Sequence, residues 1–438
     1  MSRETFITFL EKVTSRVKAR GAHAMIKKEL HTHMEELRKS YETRGRSREE
    51  AEELAVEQMG NPYTVGDRLN RIHKPRMDWI LIALFAMLAG TGLLTGFGAA
   101  SNLSLPASYF VERQAIWYAI ALIFLVSVMF FDYRKLAKWC VSFYGAGLFL
   151  LAATSLFGVT MNGAQRWLAV GGLTIDGGML ALLFFLLGWA GMLHRIDLYK
   201  SWQWQIGLTA MLWAPAVIYL SMPYIVLAVI YLLFVTAMFL FSGAGRKTIL
   251  TLGGLNTLAV LIVAAGAYVT VPGARFSHLE GRIGGFLNPN AAADGHGYMY
   301  MMVRQALSEA GWFGNGLLDT GHGLPEAHTD LAFVYLVYAL GWSFGIFLCL
   351  LILAFVWRIC RNTFKTPDHF GRLLVIGGAV MFSLPAVWNI LMGLGILPIA
   401  GVSLPLVSYG GSMLLLYAIV LGLILNVYRK KDIIQPTM

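Results

Sequence analysis

The chain has 438 residues, of which 57% are hydrophobic and only 14% are charged, and its formal net charge is +10. A soluble globular protein carries about 25% charged residues, so this composition excludes an ordinary soluble enzyme. Repeated apolar runs predict a protein that crosses the membrane many times. The positive charge does not indicate nucleic-acid binding, because membrane proteins concentrate Lys and Arg in their cytoplasmic loops.

The first 76 residues differ in character from the rest of the chain. They hold 16 of the 35 Lys and Arg residues and 12 of the 25 Asp and Glu residues. Ser47 with Glu50 three positions later predicts a capping box at the start of a helix, and Gly60 predicts its end. The apolar positions of this helix are predicted at Leu54, Val56 and Met59. We therefore expect a small cytoplasmic helical domain over 1–76.

The remainder, 77–438, is predicted to be an all-α membrane domain of about ten transmembrane helices. Its apolar runs are long enough to span a bilayer. The predicted spans are 78–98, 115–131, 139–157, 177–194, 205–220, 223–242, 249–271, 329–357, 373–395 and 411–428.

Basic residues in the short loops indicate the orientation of these spans. Lys and Arg cluster in 132–138, 194–200, 245–247, 358–365 and 428–431, all on one side of the membrane if the N-terminus lies there too. That side is the cytoplasm, so both termini are expected to be cytoplasmic. The outer side then receives 99–114, 158–176, the long loop 272–328 and 396–410.

The long outer loop 272–328 is unusual, because connections of this length are functional or disordered in most proteins. Its apolar and aromatic content predicts order, with a re-entrant or interfacial helix over 297–310. Arg282 and Arg304 lie in this loop, and Arg166 lies in another outer loop. Arginines gathered with acids at one membrane face suit an anionic substrate and a proton transfer, although a solvated loop with dispersed charge has the same composition.

The stretch "LPEAHTDLAF" ends the long loop and carries Glu326, His328 and Asp330. Apolar residues follow Asp330 at once, so this carboxyl group lies at the mouth of a span and is partly desolvated. Partial burial raises the pKa of a carboxyl group and makes it a better base near neutral pH. The alternative is a structural N-cap, with the carboxylate accepting from the first amides of the helix.

Other kinds of site are not indicated. The sequence has no HExxH motif or His/Cys cluster, so no metal site is predicted, and it has no phosphate-binding glycine loop before a helix. Asn389, inside the ninth span, is expected to face protein rather than lipid. Ser408 is expected either to line a cavity or to bond to backbone, and the second reading is favoured.

Four segments together resemble the SEDS family, the FtsW, RodA and SpoVE proteins of cell-wall synthesis. They are "NGAQRWLAVGG" (162–172), "RIGGFLNPNAAADGHGYMY" (282–300), "ALSEAGWFGNGL…LPEAHTDLAF" and "LPIAGVSLPLVSYGGS" (397–412). The resemblance covers about 77–430. The N-terminal pattern also resembles the small HAAS-like helical domains of membrane proteins from Gram-positive bacteria, which implies a cytoplasmic docking partner that the sequence does not identify.

The resemblance implies a peptidoglycan glycosyltransferase that polymerises lipid II on the outer face of the cytoplasmic membrane, beside a class B penicillin-binding protein. Asp330 matches the proposed catalytic residue of the family. The substrate-binding candidates are Arg282, Arg304 and Arg166, in that order, while His328 and Glu326 would shape the site. No cofactor is indicated, although a divalent cation is compatible with this chemistry.

This chain departs from the family pattern in several places. The family's paired glutamates before "LG" are Tyr338 and Ala339 here, and an acidic position eight residues before Asp330, common in the division-type members, is His322.

Two longer stretches also differ. The family has "QPSE" with a nearby Lys after the "RW" loop, where this chain has "TIDGGMLALL" (174–183). The family has "QPDLGTA" between the fifth and sixth spans, where this chain has "SMPYIVLA" (221–228). Such losses leave a second hypothesis open, a non-catalytic protein that binds a lipid-linked precursor or a partner and regulates envelope assembly. A transporter would need ionisable residues deep in its spans, and few are present.

Overall fold

A computed structural model describes residues 5–73, 77–103, 106–161, 164–170, 173–222, 224–270, 273–293, 295–317, 323–363 and 366–431. Its contacts divide the chain into two compact units. The first comprises Met1–Asp78, Lys365–Asp368 and Val427–Met438, and the second comprises Trp79–Phe364 and His369–Asn426. The predicted class, a helical polytopic membrane protein, is confirmed.

The N-terminal part of the first unit is a small bundle of four helices. They are α1 Phe6–Arg16, α2 His23–Thr43, α3 Arg48–Met59 and α4 Pro62–Ile72. Its core is formed by apolar side chains from the first three helices, among them Phe9, Val13, Ile26, Met34 and Ala55. Burial of this cluster stabilises helices that are too short to be stable alone in water.

The predicted capping box at the start of α3 is confirmed. The Ser47 hydroxyl oxygen accepts from the Glu50 amide at 3.3 Å, and the Glu50 carboxylate accepts from the Ser47 amide at 3.4 Å. Gly60 ends the helix with a φ of 76°. The apolar face differs from the prediction, because Val56 is buried with Ala51 and Ala55, whereas Leu54 and Met59 are only half-buried. Small alanines occupy this face because α3 packs closely on α2.

The second unit contains the membrane helices and two less apolar helices. In chain order they are α5 Trp79–Leu103, α6 Ala107–Phe130, α7 Cys140–Phe157, α8 Gly177–Leu193, α9 Trp202–Ser221, α10 Ile225–Leu240, α11 Arg246–Thr270, α12 Gly273–Leu287, α13 Tyr298–Glu309, α14 Ala332–Thr363, α15 His369–Gly393 and α16 Gly411–Lys430. Among the described residues, eight helical segments are long and apolar enough to cross a membrane, and α8 and α10 are shorter apolar helices. These ten match the predicted spans approximately.

The connection between the first two spans differs from the prediction, whereas the helix predicted in the long outer loop is present. Helix α5 ends at Leu103 and helix α6 begins at Ala107, so most of the predicted loop 99–114 is helical. Polar residues in the first two turns of α6 lowered the local hydropathy and hid the start of the helix. The predicted interfacial helix over 297–310 is present as α13.

Helix α8 lies at the centre of the membrane unit, and nearly all of its 17 residues are buried. Glycines allow this burial, because a Cβ atom at Gly191 would lie only 2.5 Å from the Cβ atom of Cys140 in α7. The Trp189 indole donates to the Tyr231 hydroxyl of α10 at 2.9 Å. A helix that is apolar all round is therefore enclosed by protein, and it provides a rigid support for the outer segments above it.

A three-stranded antiparallel sheet connects α7 to α8. Its strands are β1 Val159–Met161, β2 Ala164–Val170 and β3 Leu173–Asp176, in the order β1-β2-β3. The sequence predicted only a loop here, because strands of three to seven residues give a weak periodic signal. The register places Trp167 opposite Asp176, which brings the residue next to Arg166 to the first turn of α8.

Helix α14 is bent at Gly341, whose φ of 86° and ψ of 170° are not helical. The turn 311–316 supplies the hydrogen bonds that the bend leaves open. The Trp342 amide donates to the Gly311 carbonyl at 3.0 Å, and the Gly316 amide donates to the Ala339 carbonyl at 2.9 Å. Satisfied backbone groups allow a helix to break beside a membrane, and the segment before the bend is buried in protein.

Substitution of Ser47 by Ala tests the capping box. Loss of an N-cap costs about 1 kcal/mol, so amide hydrogen exchange in α3 of the full chain should become about fivefold faster. Ser40→Ala, an exposed serine in the neighbouring α2, is the matched control and should leave exchange in α3 unchanged. Equal exchange in the two variants would contradict the assignment.

Candidate functional site

The segment that carries Asp330 is held by the loop between α15 and α16. The Tyr409 amide donates to the His328 carbonyl at 2.7 Å. The Ser408 hydroxyl donates to the Thr329 carbonyl at 2.5 Å and accepts from the Leu404 amide at 2.7 Å. Ser408 therefore bonds to backbone, as the sequence favoured, and the two loops form one layer above the helices.

Asn389 of α15 connects this layer to the membrane helices. Its side chain is 1% exposed, and its amide nitrogen donates to the Asp330 carbonyl at 2.7 Å and to the Val402 carbonyl at 2.6 Å. The expectation that Asn389 faces protein is confirmed. One buried side chain thus fixes the backbone of both loops.

The Asp330 carboxyl group lies half-buried at the mouth of α14. It accepts a hydrogen bond from the Ser403 hydroxyl at 3.1 Å. Among the described contacts this carboxyl group accepts from no amide of the first helical turn, so they do not support the N-cap reading. Burial raises the pKa of Asp330 to about 6; Arg166 and the Ser403 hydroxyl oppose this rise, and Glu326 adds to it.

Arg166 of β2 faces Asp330 across Gly401. A Cβ atom at Gly401 would lie 2.8 Å from Nη1 of Arg166 and 3.5 Å from Oδ2 of Asp330. The guanidinium group lies between two aromatic rings, 5.2 Å from the centre of Trp167 and 5.4 Å from the centre of Tyr224. Its Nε is buried without a hydrogen-bond partner. The sequence placed Arg166 last of the three arginines, whereas the structure brings it to Asp330.

The other two arginines occupy different positions. Arg282 of α12 is exposed and donates to the Ile399 carbonyl at 3.0 Å, while the Ile399 amide donates to the Tyr300 hydroxyl at 2.9 Å. Arg282 thus reaches the loop that bears Gly401. Arg304 of α13 is exposed, and the described contacts do not join it to Asp330.

Glu326 and His328 lie beside the carboxyl group in the same turn. Glu326 has a positive φ of 51°, and its carboxylate accepts from the Thr329 hydroxyl. The His328 ring packs 5.8 Å from the Tyr409 ring, and burial lowers its pKa, an effect that Glu326 opposes. Both residues lie in the turn around Asp330, and their role in shaping the site stays a prediction.

The sequence did not assign two further polar residues of this site. Asp176, at the N-cap of α8, is 3% exposed and accepts from the Met179 amide at 2.9 Å. The Tyr224 hydroxyl donates to the other carboxylate oxygen at 2.8 Å. Burial raises the pKa of Asp176, while Arg166 and these two donors lower it. The available signal was an acid directly before an apolar run, which is the pattern that identified Asp330.

Together these groups place one proton acceptor beside one fixed cation. A carboxyl group with a pKa near 6 can accept a proton at neutral pH, and a guanidinium group can bind an anion. Among the described residues, no three His, Cys, Asp or Glu side chains are grouped so that they could hold a metal ion.

Known proteins resemble this chain in sequence and in fold. Residues 76–433 match the profile of the FtsW/RodA/SpoVE family, described as cell cycle proteins. A probable peptidoglycan glycosyltransferase FtsW from Thioalkalivibrio sulfidiphilus is 32% identical over 375 residues, which cover 81% of this chain and 90% of that protein. A second FtsW, from Trichlorobacter lovleyi, is 28% identical over 80% of this chain and 92% of its own length.

Solved structures give the same result. A chain of a peptidoglycan synthase complex matches with a TM-score of 0.65 and 25% identity, over 81% of this chain and 98% of that chain. The rod shape determining protein RodA of Thermus thermophilus matches with a TM-score of 0.57 and 24% identity, over 81% of this chain and 97% of that chain. This chain therefore belongs to the FtsW/RodA/SpoVE family and is a multi-pass bacterial membrane protein.

Proposed function

We propose that this protein is a peptidoglycan glycosyltransferase that polymerises lipid II, with Asp330 as the catalytic base. The observation that carries the proposal is the half-buried Asp330 carboxyl group beside the Arg166 guanidinium group. The names of the relatives, probable peptidoglycan glycosyltransferases, agree with this chemistry. Bond formation between sugars needs a proton acceptor, and departure of a diphosphate needs a nearby cation; the two groups meet both needs.

The reaction follows from these positions. The Asp330 carboxylate takes the proton from the 4-hydroxyl group of the acceptor sugar, and that oxygen attacks the anomeric carbon of the donor. The bond to the diphosphate breaks as the new bond forms, so the configuration at this carbon inverts and undecaprenyl diphosphate leaves. Arg166 stabilises the negative charge that develops on the leaving group. Arg282 lies at the neighbouring loop, where it would bind the more distant phosphate or peptide.

The site lies on the side of the membrane opposite the basic loops. Its segments are β2, the start of α14 and the loop before α16, which alternate along the chain with the Lys- and Arg-rich connections. The basic connections are cytoplasmic under the positive-inside rule. The site would thus face outward, where the glycan strand is assembled, and both termini would be cytoplasmic.

Partners and cofactors are also part of this proposal. A class B penicillin-binding protein would crosslink the strand, because a structural relative belongs to a synthase complex that coordinates polymerization and crosslinking. A divalent cation would bind the diphosphate of the substrate rather than a protein cluster. The helices of 1–76 would dock a cytoplasmic partner through their charged surface.

Replacement of Asp330 by Asn tests the base. Loss of a proton-transfer group lowers rates by about 10²–10⁴-fold, so chain formation from fluorescent lipid II should fall at least a hundredfold. Asp197→Asn is the matched control, because Asp197 is exposed and pairs with Lys200 at 3.0 Å in a basic loop. Full activity of the Asp330 variant would refute the assignment and favour the non-catalytic hypothesis.

The pH dependence should follow the ionisation of Asp330. Since the pKa of Asp330 is raised to about 6, the carboxylate form increases as pH rises through 6. Below this value the rate should fall about tenfold per pH unit. Glu326→Gln removes a negative charge that raises this pKa, so the acid limb of the variant's pH–rate profile (the part where the rate falls as pH falls) should move to lower pH. An acid limb that stays in place in this variant would contradict the electrostatic account.

A methyl group at position 401 should separate Arg166 from Asp330. Gly401→Ala would place a Cβ atom 2.8 Å from Nη1 of Arg166, and the flexible side chain would move away. The polymerisation rate should fall about tenfold to a hundredfold with no change in the unfolding temperature. Gly254→Ala in α11, where a Cβ atom meets no other group within 4 Å, is the control. Equal rates for the two variants would show that the spacing of Arg166 and Asp330 is not critical.

A further inference from the structure

We propose that Asp176 and Tyr224 form a buried anchor that fixes the Arg166 guanidinium group for a diphosphate bound beside Asp330. The inference deepens the proposed function and rests on it, since the diphosphate belongs to the lipid-linked substrate. Neither residue would touch the substrate. Both would be positioning residues that act through Arg166.

The first argument is the complete hydrogen bonding of the Asp176 carboxylate. One oxygen accepts from the Met179 amide at 2.9 Å, and the other accepts from the Tyr224 hydroxyl at 2.8 Å. Both groups donate, so both oxygens act as acceptors, as an ionised carboxylate does. A buried carboxylate also requires a cation close by. Arg166 supplies it, because the charges of these two residues stabilise each other.

The second argument is the way in which Arg166 is held. Its guanidinium group is fixed by the rings of Trp167 and Tyr224, at 5.2 and 5.4 Å, within the range of cation–π attraction. Its Nε has no hydrogen-bond partner. The ring contacts, the nearby charges and a side-chain hydrogen bond with Tyr224 orient the guanidinium group. Among the described contacts, no carboxylate oxygen accepts a hydrogen bond from it. An arginine whose donors were occupied by a carboxylate could not bind a ligand in this way.

The third argument comes from the sequence. Asp176 lies in "TIDGGMLALL" and Tyr224 lies in "SMPYIVLA", two of the places at which this chain departs from the family pattern. In the fold, the two departures meet in a single hydrogen bond between residues 48 positions apart. Two unrelated losses would not be expected to produce a buried donor and acceptor pair. We infer that this chain replaces the usual polar groups with an anchor of its own.

The charges around the site allow the proposal to be tested by the direction in which diphosphate affinity changes. Arg166 faces Asp176, Asp330 and Tyr224, and Asp330 also faces Glu326. Asp176→Asn removes one negative charge near a bound anion. If Asp176 acted only through its charge, this variant would bind a diphosphate more tightly. If Asp176 holds Arg166 in place, the variant will bind it more weakly.

The experiment measures the binding of undecaprenyl diphosphate to the full-length protein in lipid nanodiscs. Tyr224→Phe keeps the ring and the net charge and removes only the hydroxyl group, so its effect reports the anchor. Binding by Tyr224→Phe and Asp176→Asn should weaken about tenfold, the consequence of misplacing one charge-assisted contact. Tyr219→Phe is the matched control: it removes an equally buried hydroxyl that donates to the Gly178 carbonyl at 2.7 Å.

A double-mutant cycle identifies the route of the effect. In an Arg166→Gln background, Tyr224→Phe should cause no further loss of binding, because the residue acts through Arg166. The proposal would be overturned if the losses in the double variant were additive, or if both single variants bound as well as the wild type. Tighter binding by Asp176→Asn, or no binding by the wild type, would overturn it as well. Binding does not require turnover, so this result is separate from the polymerisation assay that tests the proposed function.

A second readout is the acid limb of polymerisation. Arg166 lowers the pKa of Asp330, so a loosened Arg166 should move the acid limb of Tyr224→Phe to higher pH, although the variant carries the same charge. Tyr219→Phe should keep the wild-type profile. A shared decrease in rate with no shift of the limb would indicate a structural role alone and would contradict the proposal.

Discussion

The site depends on the amide group of Asn389. This buried side chain donates to the backbone before α14 and to the backbone before α16, so two loops far apart in sequence are held in one position. The buried helix α8 follows β3 directly and so fixes the position of β3. Because β2 pairs with β3, the position of β2 is fixed as well. Without these fixed points, Asp330 and Arg166 would lie on independent loops, and their separation would vary by more than catalysis tolerates.

The electrostatic balance of the site follows from this arrangement. Two carboxyl groups, Asp176 and Asp330, face the Arg166 guanidinium group, and a third, Glu326, lies beside Asp330. Burial alone would keep Asp330 protonated, while full pairing with Arg166 would make it a weak base. The balance of these effects raises the pKa of Asp330 to about 6, so the carboxyl group is ionised at neutral pH and can still accept a proton.

Local pattern made Asp330 a candidate, because an acid directly before a long apolar run is visible without any knowledge of the fold. The pattern left the base and the N-cap readings open, and the resemblance to the family chose between them. Sequence reasoning also reached the helical class, the approximate spans and the polar role of Asn389. It did not reach the Asp176–Tyr224 pair, since the two residues meet only when the helices pack. Nor did it reach the bend at Gly341, whose hydrogen bonds come from a turn about 30 residues earlier, or the sheet, whose strands are short. Each of these features depends on contacts between residues far apart in the sequence, which local sequence patterns do not show.

The most direct test of the account is polymerisation of fluorescent lipid II by the purified wild-type protein, alone and with a class B penicillin-binding protein. The account predicts a ladder of glycan strands whose new linkages have the configuration inverted from that of the donor. A well-folded protein that produces no ladder with any such partner would contradict the polymerase account. That result would favour a family member that binds the lipid-linked precursor without joining it.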